Sequence, residues 1–377
     1  MWLFVCWLTG EDYSSTMDLE LGKRLRDLTG PILVTGHSGF KGTWLTLLLE
    51  RLGVPVVGLS LQPLPNSLFD RAKRTGVIPE SFIDIRDLTG VHDFMVAHQP
   101  SAVIHMAAKP LVLESYKIPR ETFETNVMGT VNVLDAAFRT DSVKAVVAVT
   151  TDKVYRNDNS ARPFIESDAL AGRDPYSASK VGTEAVVAAW QQIARVSGGP
   201  MVLSLRAGNV VGGGDWAEDR LIPELIRGFT TGATIFVRNP RSTRPWQHVL
   251  DPLRGYIMAL ESTLSGEVFN ALNFGPDFDS LSVEEVARIA AATWPNSTSI
   301  DFTSHTQGGS LESAALQLSS NKAKMLLQWK PFWNQQQSII STVKWWDDVL
   351  NRSIAPVEAC RSDIEYMLSL TPGNTII

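Results

Sequence analysis

Tyr176 and Lys180 stand four apart in Tyr176-Ser177-Ala178-Ser179-Lys180, a spacing that puts both side chains on one face of a helix. An ammonium beside a phenol favours the phenolate and draws its pKa toward neutrality. Such a phenolate can take a proton from a hydroxyl as hydride leaves the same carbon. An isolated Y-x-x-x-K is more commonly an ordinary half-buried tyrosine and a solvated lysine, so the pair needs a second sign of redox chemistry. Thr151-Asp152-Lys153 adds a hydroxyl, a carboxyl and an amine in succession, and Gly36-His37-Ser38-Gly39-Phe40-Lys41-Gly42 supplies the sign.

Gly36, Gly39 and Gly42 follow an apolar run, Pro31-Ile32-Leu33-Val34-Thr35-Gly36, short enough for a strand buried on both faces. Trp44, Leu45, Leu47, Leu48 and Leu52 continue at helical spacing up to Gly53. Strand, glycine turn and helix in that order make a phosphate site, because the missing side chains let a pyrophosphate approach the amides of a helix N-terminus. The second strand, Val54 to Leu61, ends in Gly58-Leu59-Ser60-Leu61. It lacks the acid that binds the ribose diol of NAD, and no arginine stands there for a 2′-phosphate. Ser60 or a backbone group must serve, and this position leaves NAD against NADP open. A third strand in 81–87 ends at the adenine edge with Asp84 available to the exocyclic amine; by spacing alone Asp84 could equally cap the next helix.

The fourth strand, Ala102 to Ala108, carries small residues that permit close approach of a flat ring or a pyrophosphate. A helix begins at Asn126 and runs to Phe138. The fifth strand, Ala145 to Val149, delivers Thr151 and Asp152 at its carboxyl end, the edge where an open parallel sheet binds ligands. A helix from Ser177 to Ile193 and a strand from Met201 to Arg206 complete the sheet, with crossovers long enough to be right-handed. The expected class is α/β, a Rossmann-type doubly wound parallel sheet with a smaller C-terminal α/β substrate lobe. Its expected divisions are an N-terminal extension at 1–28, a cofactor domain at 29–206, a lobe at 207–350 with some segments returning to the sheet, and a tail at 351–377. In the lobe, Arg238, Arg241 and Arg244 lie close to Trp246. Arginines suit a diphosphate through bidentate bonds, and an aromatic can stack a base.

At 377 residues, 44% of them hydrophobic, the chain can bury a large core, and its net charge of −6 argues against binding nucleic acid. Two cysteines, Cys6 and Cys360, offer neither metal-ligand spacing nor a disulfide framework, which fits a reducing cytoplasm. The apolar start, Met1 to Leu8, is too short to span a bilayer and runs into Glu11 and Asp12. It reads as a non-structural extension with Met17 as an alternative start, or else as a short tail that docks on a partner. The helices 125–138 and 181–193 carry apolar residues on more than one face, as expected of a homodimer with a four-helix interface.

Taken together, the glycine turn, Thr151-Asp152-Lys153-Val154-Tyr155, Gly172-Arg173-Asp174-Pro175-Tyr176, Arg206-Ala207-Gly208-Asn209, Gly213 to Pro223 and Arg244-Pro245-Trp246-Gln247-His248-Val249 resemble the extended short-chain dehydrogenase/reductases of the nucleotide-sugar class, in their CDP-sugar branch. The resemblance runs from about Pro31 to Trp346. It implies an NAD-dependent, redox-neutral dehydration of CDP-glucose to a 4-keto-6-deoxy sugar, within deoxysugar biosynthesis for lipopolysaccharide O-antigen. The implied catalytic residues are Thr151, Asp152, Lys153, Tyr176 and Lys180. Tyr176 would deprotonate the C4 hydroxyl, Lys180 hold the phenolate, Thr151 bond the same hydroxyl, and Asp152 protonate the departing C6 hydroxyl. Lys153 stands where dTDP-glucose dehydratases carry a glutamate base; it is a C5 base here if burial beside a cation lowers its pKa, or else a structural lysine. The implied cofactor set is Gly36, Ser38, Gly39, Phe40, Gly42, Ser60, Asp84, Ile85, Ala107, Ala108, Lys109 and Asn126, with Tyr176 and Lys180. The implied substrate set is Asn209, Asp219, Arg220, Arg238, Arg244, Trp246 and His248, and no metal is implied. The chain departs from the pattern at Lys109, usually glutamine, and at Leu113, commonly arginine. Two other readings stand beside this one, a 4-epimerase or dehydratase acting on another nucleotide sugar, and an NAD-binding regulatory protein without turnover.

Overall fold

A computed structural model describes residues 21–157, 162–237, 239–277, 280–296, 299–302 and 316–370. Its centre is a seven-stranded, wholly parallel sheet. The strands are β1 (Ile32–Thr35), β2 (Val56–Ser60), β3 (Glu80–Phe82), β4 (Ala102–His105), β5 (Ala145–Thr151), β6 (Met201–Ala207) and β7 (Ala271–Phe274). They lie in the order β7-β6-β5-β4-β1-β2-β3. The chain works outward from β1 to β3 and then returns to the other side with β4, so the sheet has its switch point between β1 and β4. β7, from late in the chain, pairs with β6 at one edge of the sheet.

Successive side chains of a strand feed opposite faces. Ile32 and Val34 enter a core beneath α1 (Phe40–Arg51), whereas Leu33 enters a second core beneath α2 (Leu88–His98) and α3 (Gly129–Phe138). The first core extends through α5 (Leu250–Leu264), α6 (Gln335–Leu350) and α7 (Pro356–Ser369). The segment read from sequence as a tail thus contains a packed helix: Ala359, Cys360, Ile364, Met367 and Leu368 recur at helical spacing and are buried. Leu21 and Leu25, in the segment read as an extension, are buried in the same core.

Local chemistry sets the boundaries that position the site. β4 stops at His105, before the expected Ala108, because the Thr35 hydroxyl accepts from the amides of Met106 and Ala107. β5 runs on to Thr151, which pairs with Ala207 of β6. Ahead of α3 the chain forms a short helix at Pro119–Phe123 and one π-helical turn at Glu124–Met128, so Asn126 sits in a bulge rather than at a helix start. Such turns are rare and frequent at functional sites. α4 (Pro175–Ser197) opens with a capping box, Asp174 accepting from the Ser177 amide while the Ser177 hydroxyl accepts from the Asp174 amide, and Pro175 occupies the first turn. Tyr176 is thereby held at the helix mouth.

Candidate active site

The glycine turn has no room for side chains. Gly36 has φ +77°, and a Cβ there would stand 2.8 Å from the Ala107 nitrogen; one at Gly42 would stand 2.1 Å from the Gly36 oxygen. A left-handed residue and a backbone crossing this tight select glycine. With Gly39 as N-cap of α1, the cradle fits a pyrophosphate on the helix N-terminus. Ser60 donates to the Ser38 hydroxyl at 2.8 Å, and Ser38 donates to the Leu61 carbonyl. Two hydroxyls therefore occupy the end of β2, where an acid would ordinarily stand. Phe40 is half-buried and Ile85 is in the core.

Asp84 does not cap α2; Asp87 does, accepting from the Gly90 amide. Asp84 instead accepts from Arg86, whose guanidinium holds its carboxyl below the ordinary value. Asn126 clasps the loop after β4, accepting from the Lys109 amide at 2.7 Å and donating to the Lys109 carbonyl and to Ser179 of α4. This fixes Ala107 and Ala108 beside the glycine turn. The Lys109 ammonium lies 3.1 Å from Glu121 and 3.8 Å from Glu114, and Leu113 lies in the helix Val112–Lys117.

At the ends of β5 and α4, the structure gathers Thr151, Asp152, Tyr176 and Lys180, all buried. Thr151 donates to Asp152 Oδ1 at 3.0 Å and lies close enough to act on the Tyr176 phenol. Burial raises the Asp152 carboxyl against the pull of Lys153, the Thr151 bond and Arg244. Asp152 Oδ2 is buried with no hydrogen-bond partner among the described residues. Burial likewise pushes the Tyr176 phenol up to about 12, with Thr151 opposing. This corrects the expectation that Lys180 depresses it. The Lys180 ammonium donates to the Val149 carbonyl at 3.2 Å, and burial lowers its own pKa to about 8, with Glu184 opposing. Desolvation here outweighs the amine's field on the phenol.

Lys153 is half-buried and donates to Asn209 Oδ1 at 3.3 Å. Arg220 donates to Asp215 at 2.7 Å and lies within electrostatic reach of Tyr176. Asp219 is exposed at φ +61°. Arg244 is buried, donates to the Thr243 carbonyl and acts on the Asp152 carboxyl. Trp246 and His248 sit deeper. Trp246 belongs to the first core and donates to the Leu281 carbonyl; His248 is fully buried between Trp44 and Trp333. Arg238 falls outside the described residues. Among the described residues no cluster of three or more His, Cys, Asp or Glu could hold a metal, and no helix is long and apolar enough to cross a membrane.

Sequence reasoning missed three parts of this site. Lys41 was visible within the turn but given no role; its ammonium donates to the Tyr256 phenol at 2.7 Å, and burial, with Lys180 and Arg220 nearby, lowers it to about 7. Nothing local to Tyr256 marks it, since α5 brings it in from the other end of the chain. Glu184 did carry a signal, as it continues the Tyr176, Lys180 face by one more turn. Its carboxylate accepts from Thr150 at 2.5 Å, from Ser204 at 2.6 Å and from Arg206 at 2.7 and 2.9 Å. This ties α4 to β5 and β6 directly beneath the reacting groups.

The chain matches the NAD dependent epimerase/dehydratase family across residues 32–275. It is 39% identical over 325 residues to a CDP-glucose 4,6-dehydratase of Salmonella typhimurium, covering 83% of this chain and 89% of the relative. A dTDP-glucose 4,6-dehydratase from Streptomyces venezuelae, solved with NAD and TYD bound, superposes with a TM-score of 0.73 at 24% identity over 87% of this chain and 99% of that one. A UDP-glucose-4-epimerase of Stenotrophomonas maltophila with bound NAD gives a TM-score of 0.75 at 22% identity over 86% of this chain and 100% of the other. At those identities the two structures speak for the fold, a doubly wound sheet as expected.

Proposed function

This chain belongs to the NAD dependent epimerase/dehydratase family, and from that premise we propose that it converts CDP-glucose to CDP-4-keto-6-deoxyglucose by intramolecular dehydration. The observation that carries dehydration over epimerisation is Asp152. Its carboxyl is buried, held toward the neutral acid and open on Oδ2, beside a tyrosine of the reacting pair. A 4-epimerase needs the tyrosine and lysine but no acid for a leaving hydroxyl; a regulatory protein needs none of the three.

The cradle at Gly36, Gly39 and Gly42, the hydroxyls of Ser38 and Ser60, and the loop held by Asn126 would hold NAD, which supplies a hydride acceptor and donor when bound. Tyr176 takes the C4 hydroxyl proton as a phenolate, with Thr151 orienting that hydroxyl; burial alone disfavours this phenolate, so its charge would have to be offset by Lys180 together with the positive charge of bound NAD. The ketone at C4 acidifies the C5 hydrogen. Lys153, beside Asn209, takes that proton, and Asp152 protonates the C6 hydroxyl as it leaves. Arg220 and Arg244 supply charge to a diphosphate. Residues 29–206 serve mainly the cofactor and 207–350 mainly the nucleotide sugar. The exposed apolar residues Phe123, Met128, Ile193 and Val196, on the helices flanking the sheet, support a homodimer; an origin in the cytoplasm and a product destined for O-antigen belong to the same proposal.

The test is incubation with NAD and, separately, CDP-, dTDP-, GDP- and UDP-glucose, following the alkaline absorbance of a 4-keto-6-deoxy sugar. Signal with CDP-glucose alone supports the reading. Signal with another nucleotide moves the specificity, and Lys109 and Leu113 become the residues to exchange. No signal with any substrate, despite NAD binding, returns weight to the non-catalytic reading. Lys153→Met should abolish C5 deuterium exchange while sparing C4 oxidation; retained exchange would remove Lys153 as the base.

A further inference from the structure

β1 and β4 end side by side at Thr35 and His105, the first leading into the glycine turn and the second into the loop that carries Ala107 and Ala108. The Thr35 hydroxyl accepts from the amides of Met106 and Ala107 at 3.1 and 3.3 Å and lies 2.7 Å from His105 Nδ1. Across the ring, His105 Nε2 lies 3.0 Å from the hydroxyl of Thr130, in the first turn of α3. Thr130 donates to the Asn126 carbonyl at 2.7 Å, and the same carbonyl accepts from Thr183 of α4 at 2.8 Å. No member of this chain is more than 3% exposed.

Counting donors and acceptors places the protons. A hydroxyl has one proton and two lone pairs. Amides take both lone pairs of Thr35, so its proton goes to His105 Nδ1. The Thr130 proton is committed to the Asn126 carbonyl, so Thr130 accepts from the ring and Nε2 carries the ring proton. The other neutral tautomer would leave the Thr35 proton without an acceptor and set the Nε2 lone pair against an oxygen whose proton is already spent. An imidazolium fails at Thr35 for the same reason. Burial agrees with this count, since together with the Lys180 ammonium it lowers the ring to about 3.

We infer that His105, held as the neutral Nε2–H tautomer, is a positioning residue that sets the cofactor cradle and the catalytic helix α4 in register with each other. At one end of the ring Thr35 holds the loop against the glycine turn, where a Cβ on Gly36 would stand 2.8 Å from the Ala107 nitrogen. At the other end Asn126 sits in the π-helical turn, its side chain bonded to both backbone groups of Lys109 and to Ser179. Ser179 donates to the Tyr176 carbonyl at 2.7 Å, so the chain of bonds ends on the turn of α4 that carries the reacting tyrosine. A ring with one donor and one acceptor on opposite edges fixes both ends at once. The effect on turnover rests on the proposed dehydration; the tautomer and the coupling across the ring do not.

The experiment compares Thr130→Val, which keeps the shape and breaks the chain, with Thr130→Ser, which keeps the hydroxyl. In the wild type, nitrogen-15 NMR of labelled histidine should show the His105 ring, assigned by its absence from His105→Gln, with a bare Nδ1, a protonated Nε2 and no titration between about pH 5.5 and 9. In the cofactor-free protein, Thr130→Val should speed hydrogen exchange of the Met106 and Ala107 amides, on the far side of the ring, by about tenfold. Its kcat with CDP-glucose should fall about a hundredfold per NAD-loaded subunit, with KM within about twofold of wild type. Thr130→Ser should return exchange and kcat to within about threefold of wild type. A ring protonated on Nδ1, a ring that titrates, or unchanged exchange at Met106 and Ala107 would overturn the inference, as would a Thr130→Val protein whose only defect is a lower Tm. A wild type that does not convert CDP-glucose would remove the dehydratase reading, while the NMR and exchange results would still decide the role of His105.

Discussion

Replacing Glu184 by Ala should cost this protein more than any other single change close to the reacting groups. Glu184 and Arg206 are 5% and 6% exposed and meet at 2.7 Å. The carboxylate also accepts from Thr150 and Ser204, so its loss strands a guanidinium and two hydroxyls in a dry interior. Breaking a buried pair from one side costs about 3–5 kcal/mol, a large part of a total stability of about 5–15 kcal/mol. Arg206→Met should cost a similar amount. Their combination, Glu184→Met with Arg206→Met, removes both charges together and should fall short of the sum of the single effects by at least about 2 kcal/mol. Tyr155 then keeps its bond to Asn273. Burial alone would raise the Glu184 carboxyl, yet Arg206, Ser204 and Thr150 bring it below its ordinary 4.5. Its stabilising contribution is therefore complete above about pH 4.5 and is lost as pH falls through the folded value. The assay is urea unfolding of the wild type, both single variants and the double variant at pH 7, repeated for wild type and Glu184→Gln down to pH 4, where the difference between those two should narrow. Additive single effects, or a Glu184→Ala cost below about 1 kcal/mol, would refute the argument.

Two further outcomes follow from the packing. Lys41 is lowered from 10.5 to about 7, so the folded state binds its proton more weakly than the unfolded chain; the penalty is full below pH 7 and fades as pH rises toward 10.5. Lys41→Met should raise the Tm of the cofactor-free protein by a few degrees at pH 6.5 and by much less at pH 9.5, and an equal gain at both would contradict that origin. Gly213→Ala places a Cβ 1.9 Å from Trp345 Cδ2 and should destabilise by about 1–3 kcal/mol; an unchanged urea midpoint would show that the α6 tryptophan moves aside freely.

The fold was legible wherever short-range pattern decides it. The buried runs at β1, β4 and β5, the glycine turn and the Tyr176, Lys180 spacing all express rules of period and backbone sterics that operate within a few residues. Element ends were less legible, because they depend on partners far away in sequence: Thr35 stops β4 through the amides of Met106 and Ala107, and Ala207 extends β5 to Thr151. The pKa of Tyr176 was misjudged for a related reason. Helical spacing shows that Lys180 shares its face, but the desolvation that dominates comes from the whole surrounding core. Trp246 and His248 looked like ligands as members of a basic, aromatic loop; whether a loop side chain turns outward or into a core beside Trp44 and Trp333 is set by tertiary packing that the loop's composition does not encode. The Lys41 and Tyr256 contact spans 215 positions and had no local trace at all.

The central claim is that one hydride leaves C4 and returns to C6 of the same sugar. Deuterium placed at C4 of CDP-glucose reports this directly by mass spectrometry and NMR of the product. The account predicts deuterium at C6 of a 4-keto-6-deoxy sugar, in the molecule that supplied it, with no net change in NAD. Deuterium recovered at C4 of an epimerised hexose, or accumulated in the cofactor, would contradict it.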